Sequence, residues 1–258
     1  MQEDLPAKIK ERMRRVYSPL NSVRSSDGNR VPTGIPGFDE MLSGGVPRGQ
    51  LALLLGEAGV GKTIFSSQFL AAGLSRGENG VYVSLKDSKS RFMAQGKLSG
   101  WDFESAERDG KFAFVNWSPL EIEEDDFSID GFLTATEKGV KSVNAVRIVV
   151  DPLDILRYFY FDKEERKLIF RIFRRINRFN TTSIFVMSLT DGGVRLRQVQ
   201  PEEYLAQSII VMQHVFAGST MERTIRVEKM LETPVDRTPR PYRLTDRGIE
   251  VYPRESVI

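Results

Sequence analysis

The chain has 258 residues, a formal net charge of +2 and no cysteine. This length suits one large α/β domain with a short extension and argues against a second full domain. The lack of cysteine excludes a disulfide framework, a thiol nucleophile and a thiolate metal site, and the small net charge gives no general argument for nucleic acid.

The start of the chain gives no sign of export or membrane insertion. Met1 is followed by charged residues rather than an apolar run, and no stretch approaches the length of a membrane-spanning helix. We therefore expect a cytoplasmic protein without a transmembrane segment.

Residues 1–29 are predicted to form a basic extension and linker. Five basic residues lie among apolar ones between Ala7 and Tyr17, which predicts a short basic helix, and Ser18–Asn29 is polar and turn-rich. Such a helix could bind a protein partner, an acidic membrane or nucleic acid. A solvated helix, packed loosely or left mobile, is the simpler interpretation.

The main domain is predicted to cover residues 30–258. It opens with V-P-T-G-I-P-G-F-D-E-M-L over Val31–Leu42 and continues with G-G-V-P-R-G over Gly44–Gly49. The apolar run Leu51–Leu55 follows and predicts a buried strand.

A phosphate-binding pattern comes directly after this strand. Gly56–Thr63 fits G-x-x-x-x-G-K-[ST], and a helix is predicted over Thr63–Leu74. Glycines let backbone N–H groups surround a polyphosphate, Lys62 can reach the outer phosphates, and the Thr63 hydroxyl can ligate Mg²⁺. The alternative, a chance glycine turn, is disfavoured by the strand before it and the helix after it. The expected nucleotide contacts are Glu57, Ala58, Gly59, Val60, Gly61, Lys62, Thr63 and Ile64.

Together, the Val31–Gly49 stretch and this loop resemble the KaiC-like branch of the RecA superfamily of P-loop ATPases, over about residues 30–253. The resemblance implies an α/β fold: a RecA-like core with a mostly parallel central sheet flanked by helices, and C-terminal antiparallel edge hairpins. It also implies ATP and Mg²⁺ as ligands, and a homo-oligomeric ring, such as a hexamer, with nucleotide held between subunits.

The next predicted strand, Gly80–Leu85, leads into a departure from the family. There, a strand at this position ends in paired glutamates that orient the attacking water. Here Lys86-Asp87 takes their place. The resemblance therefore leaves Asp87, together with Lys62, as the catalytic candidate.

A carboxylate for the metal is predicted from the apolar strand Ala145–Asp151. In a parallel sheet the carboxyl ends of strands open onto the crevice where ligands bind, so Asp151 is placed to hold Mg²⁺ through water, with Thr63 as the other ligand. The alternative is an aspartate that merely begins the next turn. The elements predicted before this strand are a strand over Lys111–Trp117, an acidic loop over Glu121–Asp126 and a helix over Ile129–Val143.

The helix predicted over Lys163–Asn180 has a basic outer face. That face could contact nucleic acid. A solvated or subunit-facing surface is favoured, because no aromatic side chains interleave with the charges.

The strand predicted over Ser183–Leu189 places Ser188 where it could sense the terminal phosphate. His214, the sole histidine, lies in an apolar strand and is predicted to be a satisfied core or edge residue rather than a metal ligand. Strands are also predicted over Ser208–Phe216, Thr224–Leu231 and Ile249–Tyr252.

Near its end the family carries K-L-R-G, whose lysine and arginine reach the nucleotide of the neighbouring subunit, and then T-D-H-G-I. The matching stretches here are Lys229–Glu232 and Thr245–Ile249, with Leu231 in place of the arginine. The resemblance thus implies that Lys229 contacts a neighbour's nucleotide. The changes at Lys86-Asp87 and Leu231 predict slow hydrolysis.

A KaiC-like nucleotide-dependent switch is the favoured function, and two alternatives stay open. One is a RecA or RadA paralogue that acts on DNA through its basic helix faces; the other is a nucleotide-binding scaffold without turnover. Residues 1–29 contain no phenylalanine, so they cannot carry the Phe-x-x-Ala tether that links RadA-type subunits, and they are too short for a separate helix-hairpin-helix domain.

Overall fold

The computed structural model describes residues 29–119, 122, 127–156, 165–189 and 200–256. The predicted basic helix of the extension and nearly all of the acidic loop lie outside these residues, as does the start of the predicted Lys163–Asn180 helix. Among the described residues, no helix is long and apolar enough to span a membrane.

A nine-stranded sheet forms the centre of the domain, in the order β11-β10-β9-β8-β3-β7-β6-β4-β5. The six strands from β8 to β5 are parallel, whereas β9, β10 and β11 continue the sheet in antiparallel pairs. Arg30–Val31 (β1) and Val46–Pro47 (β2) form a separate two-stranded sheet. The nine strands are β3 Leu51–Gly56, β4 Gly80–Ser84, β5 Phe112–Asn116, β6 Arg147–Asp151, β7 Thr182–Ser188, β8 Ser208–Ala217, β9 Thr220–Met230, β10 Arg240–Thr245 and β11 Gly248–Val251.

Both faces of the parallel strands are covered, which explains their nearly continuous apolar sequences. In β3, Ala52 and Leu54 belong to one hydrophobic cluster, and Leu51, Leu53 and Leu55 belong to the other. The described helices are α1 Phe38–Met41, α2 Lys62–Leu74, α3 Lys89–Leu98, α4 Phe103–Arg108, α5 Ile129–Val143, α6 Glu165–Asn177 and α7 Pro201–Leu205. Helix α2 contributes to the first cluster, and α5 and α6 contribute to the second.

Helix α5 has the bounds predicted from its sequence. The Ser128 side chain accepts a hydrogen bond from the Gly131 N–H at the start, and Asn144 ends the helix in the left-handed region with φ 49°. Helix α6 ends at Asn177, before the predicted Asn180, and its apolar side buries Ile169, Ile172, Phe173 and Ile176.

The Val31–Leu42 segment is fixed to α2 by a buried glutamine. The Asp39 carboxylate accepts hydrogen bonds from the backbone N–H groups of Thr33 at 2.7 Å and Gly34 at 3.0 Å, which closes the segment on itself. Gln68 then donates to the Gly34 carbonyl at 2.9 Å and accepts from the Ile249 N–H at 2.7 Å. The Val31–Leu42 segment and the Thr245–Ile249 stretch, which are two family motifs outside the phosphate loop, therefore both bind the Gln68 side chain.

Arg147, at the start of β6, is a fully buried cation. It donates to the Glu78 carboxylate at 2.7 Å, to the Phe69 carbonyl at 2.7 Å and to the Pro32 carbonyl at 2.9 Å. The guanidinium carbon also lies 4.6 Å from the centroid of the Phe69 ring. This side chain joins β6, α2 and the Val31–Leu42 segment at the end of the sheet away from the phosphate loop.

Candidate functional site

The phosphate loop lies between β3 and α2, at the carboxyl end of the parallel strands. Gly59 and Gly61 have φ values of 78° and 99°, in the left-handed region that favours glycine. No described residue accepts a hydrogen bond from the backbone N–H groups of Gly59, Gly61 or Lys62. These donors and the positive end of α2 form an anion-binding concavity. Of the other predicted contacts, Ala58 is exposed, Val60 is buried, and Glu57 and Ile64 are half-buried.

The Lys62 ammonium is folded back onto its own loop. It donates to the Gly56 and Glu57 carbonyls, both at 2.7 Å. Burial lowers the pKa of Lys62, although the carboxylates of Asp151 and Asp154 act in the opposite direction. Its amine therefore lies close to the crevice and to both acids.

Thr63 and Asp151 meet as the sequence predicts. The Thr63 hydroxyl donates to Asp151 Oδ2 at 2.8 Å, and the Tyr82 hydroxyl donates to the same oxygen at 2.7 Å. Asp151 is only 6% exposed. Burial raises its pKa, while the hydrogen bonds from Tyr82 and Thr63 and the charge of Lys62 favour the ionised form. A hydroxyl and a carboxylate this close fit Mg²⁺, which takes one or two protein oxygens together with phosphates and water.

Asp87 lies at the crevice end of β4, in a turn held by Ser84. The Ser84 hydroxyl accepts from the Asp87 N–H at 2.9 Å and donates to the Asp87 carbonyl at 2.7 Å. The Asp87 carboxylate pairs with Arg91 at 3.3 Å, one turn along α3. Its charge acts on Asp151, so the predicted catalytic carboxylate is near the metal candidate.

Ser188 ends β7 directly beside the loop, because it pairs with Gly56 in the β3–β7 register. Its backbone N–H donates to Asp154 Oδ2 at 3.1 Å. Sequence reasoning did not identify Asp154, which sits in the turn after β6. The sequence shows only that Asp154 is an acidic residue three positions after Asp151, the predicted metal ligand. No pattern distinguishes it from an ordinary turn aspartate.

The antiparallel strands support the loop from behind. His214 on β8 approaches Glu57 Oε2 with Nδ1 at 2.7 Å and with its backbone N–H at 3.0 Å. On β10, the Tyr242 hydroxyl donates to the Val60 carbonyl, and Leu244 packs where a side chain on Gly61 would otherwise lie. His214 is a satisfied residue of a sheet strand, as predicted, but its contact with the loop was not foreseen.

Lys229 is not brought together with the loop of its own chain. In the β8–β9 register it pairs with Ile209, near the start of β8, whereas Gly56 pairs with Met212 further along that strand. Its ammonium donates to the Ala206 carbonyl at 2.7 Å and to the Glu203 carbonyl at 3.3 Å. Burial lowers the pKa of Lys229. Leu231 is 45% exposed.

A basic cleft lies between α5 and α6, away from the loop. Arg171 and Arg175 pair with Asp130 and Glu137 of α5, so much of the local charge is balanced. The cleft is lined by Asp130, Leu133, Thr134, Arg171, Arg174, Arg175 and Arg178.

Known proteins with similar sequences cover nearly all of the chain after the extension. The family model described as "ATPase: KaiC" matches residues 31–256. The circadian clock protein KaiC3 of Synechocystis sp. is 30% identical over 241 residues, which is 91% of this chain and 48% of that protein. A UPF0273 protein of Thermotoga maritima is 33% identical over 238 residues, which is 88% of this chain and 97% of that protein. The chain thus spans about half the length of the first relative and nearly all of the second.

Among solved structures, a KaiC-like protein from the hyperthermophilic archaeon Pyrococcus horikoshii matches with a TM-score of 0.77 and 32% sequence identity. The match covers 87% of this chain and 99% of that one. It confirms the predicted fold class, including the mostly parallel sheet and its antiparallel extension.

Proposed function

Because the chain belongs to the KaiC ATPase family, we propose that it binds ATP and Mg²⁺ at the Gly56–Thr63 loop and hydrolyses ATP slowly, as a nucleotide-dependent switch. The observation that carries this proposal is the 2.8 Å hydrogen bond from Thr63 to Asp151, beside a loop whose Gly59, Gly61 and Lys62 N–H groups have no acceptor in the described part of the chain. It joins the two predicted metal ligands across 88 positions of sequence.

Binding requires Lys62 to change partners. Its ammonium must leave the Gly56 and Glu57 carbonyls and donate to the outer phosphates. On the phosphates the ammonium would face full negative charges instead of neutral carbonyls, and this added Coulomb attraction favours the exchange. When bound, Mg²⁺ would neutralise charge on the phosphates, and Thr63 and Asp151 would hold it there.

Slow hydrolysis is supported by the two departures from the family pattern, at Asp87 and at Leu231. Asp87 has a side chain one methylene shorter than glutamate, and its carboxylate is engaged by Arg91. Leu231 cannot supply the transition-state charge of an arginine finger, which is typically worth about 10³ to 10⁵ in turnover. Ser188, beside Gly56, is proposed as the sensor of the terminal phosphate.

A ring assembly is also part of the proposal. Lys229 pairs with Ile209, near the start of β8, and its ammonium is held by the carbonyls of Glu203 and Ala206 rather than directed at its own loop, so we infer that it contacts the nucleotide of another chain. A head-to-tail contact that closes into a ring satisfies this geometry.

The binding proposal is tested by isothermal titration calorimetry with ATP and Mg²⁺. Lys62→Ala should lose most of the affinity, because the ammonium no longer compensates the phosphate charge, while circular dichroism should remain that of the wild type. Lys97→Ala, at an exposed position on α3, is the matched control and should bind normally. Wild-type affinity in a folded Lys62→Ala variant would refute the proposed site.

Action on DNA is the second candidate function, favoured by one observation. Arg174 and Arg178 line the basic cleft, and neither has an ion-pair partner among the described residues. Their charges are therefore free to contact phosphates. ATP turnover measured with and without single-stranded DNA separates the candidates, since stimulation by DNA that is lost in Arg174→Gln/Arg178→Gln would favour a recombination-type protein.

A further inference from the structure

Asp154 has an unusual environment for a turn residue. One carboxylate oxygen, Oδ2, accepts the Ser188 N–H at 3.1 Å. The other, Oδ1, is buried and has no hydrogen-bond partner in the described part of the chain. A buried carboxylate oxygen without a donor is costly, and such groups in folded proteins call for a functional explanation.

The position of Asp154 supplies that explanation. Ser188 pairs with Gly56, and the next residue, Leu189, donates its N–H to the Gly56 carbonyl at 2.9 Å. Asp154 is therefore attached to the strand end that borders the phosphate loop. It is also close enough to Lys62 for its charge to act on that ammonium.

Asp87 is the weaker of the two carboxylates for proton transfer. It follows β4, which is separated from β7 by β6, and its carboxylate is paired with Arg91. Asp154 follows β6, and the Ser188 N–H holds one of its oxygens, while the other, which is buried, has no donor among the described residues. A general base needs a fixed position and an available oxygen.

We propose that Asp154 is the carboxylate that orients the attacking water and accepts its proton. In this step the water oxygen forms a bond to the γ-phosphorus, and the bond from that phosphorus to the bridging oxygen breaks. The bond's electron pair remains on ADP, and the water proton passes to Asp154 Oδ1. This role rests on the proposed ATPase function. It gives Asp154 the water-orienting task that the family resemblance assigned to Asp87.

The decisive variant is Asp154→Asn. The amide oxygen can still accept the Ser188 N–H, and the side chain keeps its size, but it cannot take a proton. We expect kcat for ATP hydrolysis to fall by about 10² or more, because general-base catalysis contributes about 10² to 10⁴. The dissociation constant for ATP, measured by calorimetry, should change by less than about threefold, since the phosphate loop is untouched.

Two further readouts distinguish proton transfer from a structural role. The pH–rate profile of Asp154→Asn should differ from that of the wild type, because the amide cannot take a proton. Asp154→Glu keeps the carboxylate and should restore part of the rate. Asp109→Asn, an exposed surface change, should match the wild type in kcat, affinity and pH profile.

The results of these experiments distinguish failure of the Asp154 role from failure of the proposed ATPase function. Normal turnover in folded Asp154→Asn, or a wild type that binds ATP without hydrolysing it, overturns the role of Asp154 and leaves nucleotide binding intact. If Asp87→Asn loses turnover and Asp154→Asn keeps it, Asp87 is the residue that orients the water and accepts its proton. A wild type that does not bind ATP in calorimetry overturns the proposed function itself.

Discussion

At the scale of single residues, Arg147 shows how a buried cation is tolerated. Its side chain is 0% exposed, and its donors are directed at a carboxylate and two backbone carbonyls. Removing a partner from such a group leaves charge buried without compensation, which is strongly destabilising. Glu78 is the one ionisable acceptor in this set, and it also accepts from Arg48 at 2.9 Å.

The ion pairs of Glu78 should make folding stability depend on pH. Burial acts to raise the pKa of Glu78, but the hydrogen bonds from Arg48 and Arg147 outweigh it and lower the pKa below 4.5. Because the folded-state value lies below the unfolded-state value, the stabilisation is complete above about pH 4.5 and is lost as the pH falls through the folded-state pKa. Between about pH 6 and pH 3, the wild type should therefore lose more free energy of unfolding than Glu78→Gln does.

Urea unfolding at several pH values in this range measures the difference. Glu104→Gln, at an exposed position on α4, is the matched control and should keep the pH dependence of the wild type. Equal pH dependence in Glu78→Gln and the wild type would show that the pair contributes nothing to folding.

At the scale of elements, Gln68 explains why two distant motifs occur in one chain. Its amide donates to the Gly34 carbonyl and accepts from the Ile249 N–H, and no room remains for a side chain on Gly248 beside it. The Val31–Leu42 segment and the Thr245–Ile249 turn are thus parts of a single clamp around α2. These two stretches therefore resemble the family pattern because they fix the structure around α2, and not because they take part in the chemistry.

Gln68→Met should weaken this clamp. The substitution keeps the size of the side chain but leaves the Ile249 N–H, the Gly34 carbonyl and the Ile249 carbonyl, to which Gln68 also donates at 3.3 Å, without this partner. The loss should cost about 3 kcal/mol in the free energy of unfolding. Chemical denaturation measures this cost. Gln95→Met, on the exposed face of α3, should cost less than about 0.5 kcal/mol. Similar stabilities for the two variants would contradict the clamp.

The elements differ in how well their sequences predict them. Helix α5 and strands β3, β6 and β7 have strong apolar patterns, and all are found within about two residues of their predicted bounds. Strand β10, with the sequence R-P-Y-R-L-T, shows no clear apolar alternation, so its position is seen only from its pairing with β9 and β11. The phosphate loop, Thr63 and Asp151 follow from local pattern. The contacts of Asp154, His214 and Tyr242 arise from tertiary packing alone, which no local pattern records.

In the molecule as a whole, the antiparallel strands place Lys229 away from the phosphate loop of its own chain. The crevice end of the sheet carries the phosphate loop, and Lys229 lies toward the other end, where its ammonium donates to the carbonyl of Glu203 in α7 and to that of Ala206 directly after it. In the proposed function, this lysine would serve nucleotide chemistry through a neighbouring chain. The proposed site would then be completed by assembly.

We therefore expect ATP and Mg²⁺ to promote a closed oligomer at micromolar concentration, observed by sedimentation velocity. Lys229→Ala should weaken the ATP dependence of assembly, because the contact with the neighbour's phosphates is removed. Lys111→Ala, whose pair with Asp109 is exposed, should assemble like the wild type. Only monomers in the presence of ATP would contradict the ring.

The support of the phosphate loop by β10 and β11 also has a consequence for the timing of synthesis. The Tyr242 hydroxyl reaches Val60 across 182 positions, and Ile249 reaches Gln68 across 181. Contacts of such long range form late, and a chain emerging from the ribosome cannot make them until β11 has left the exit tunnel. A nascent chain would thus carry its complete phosphate-binding sequence long before β10 and β11 could support that loop, so firm nucleotide binding would have to wait until these two strands have been made.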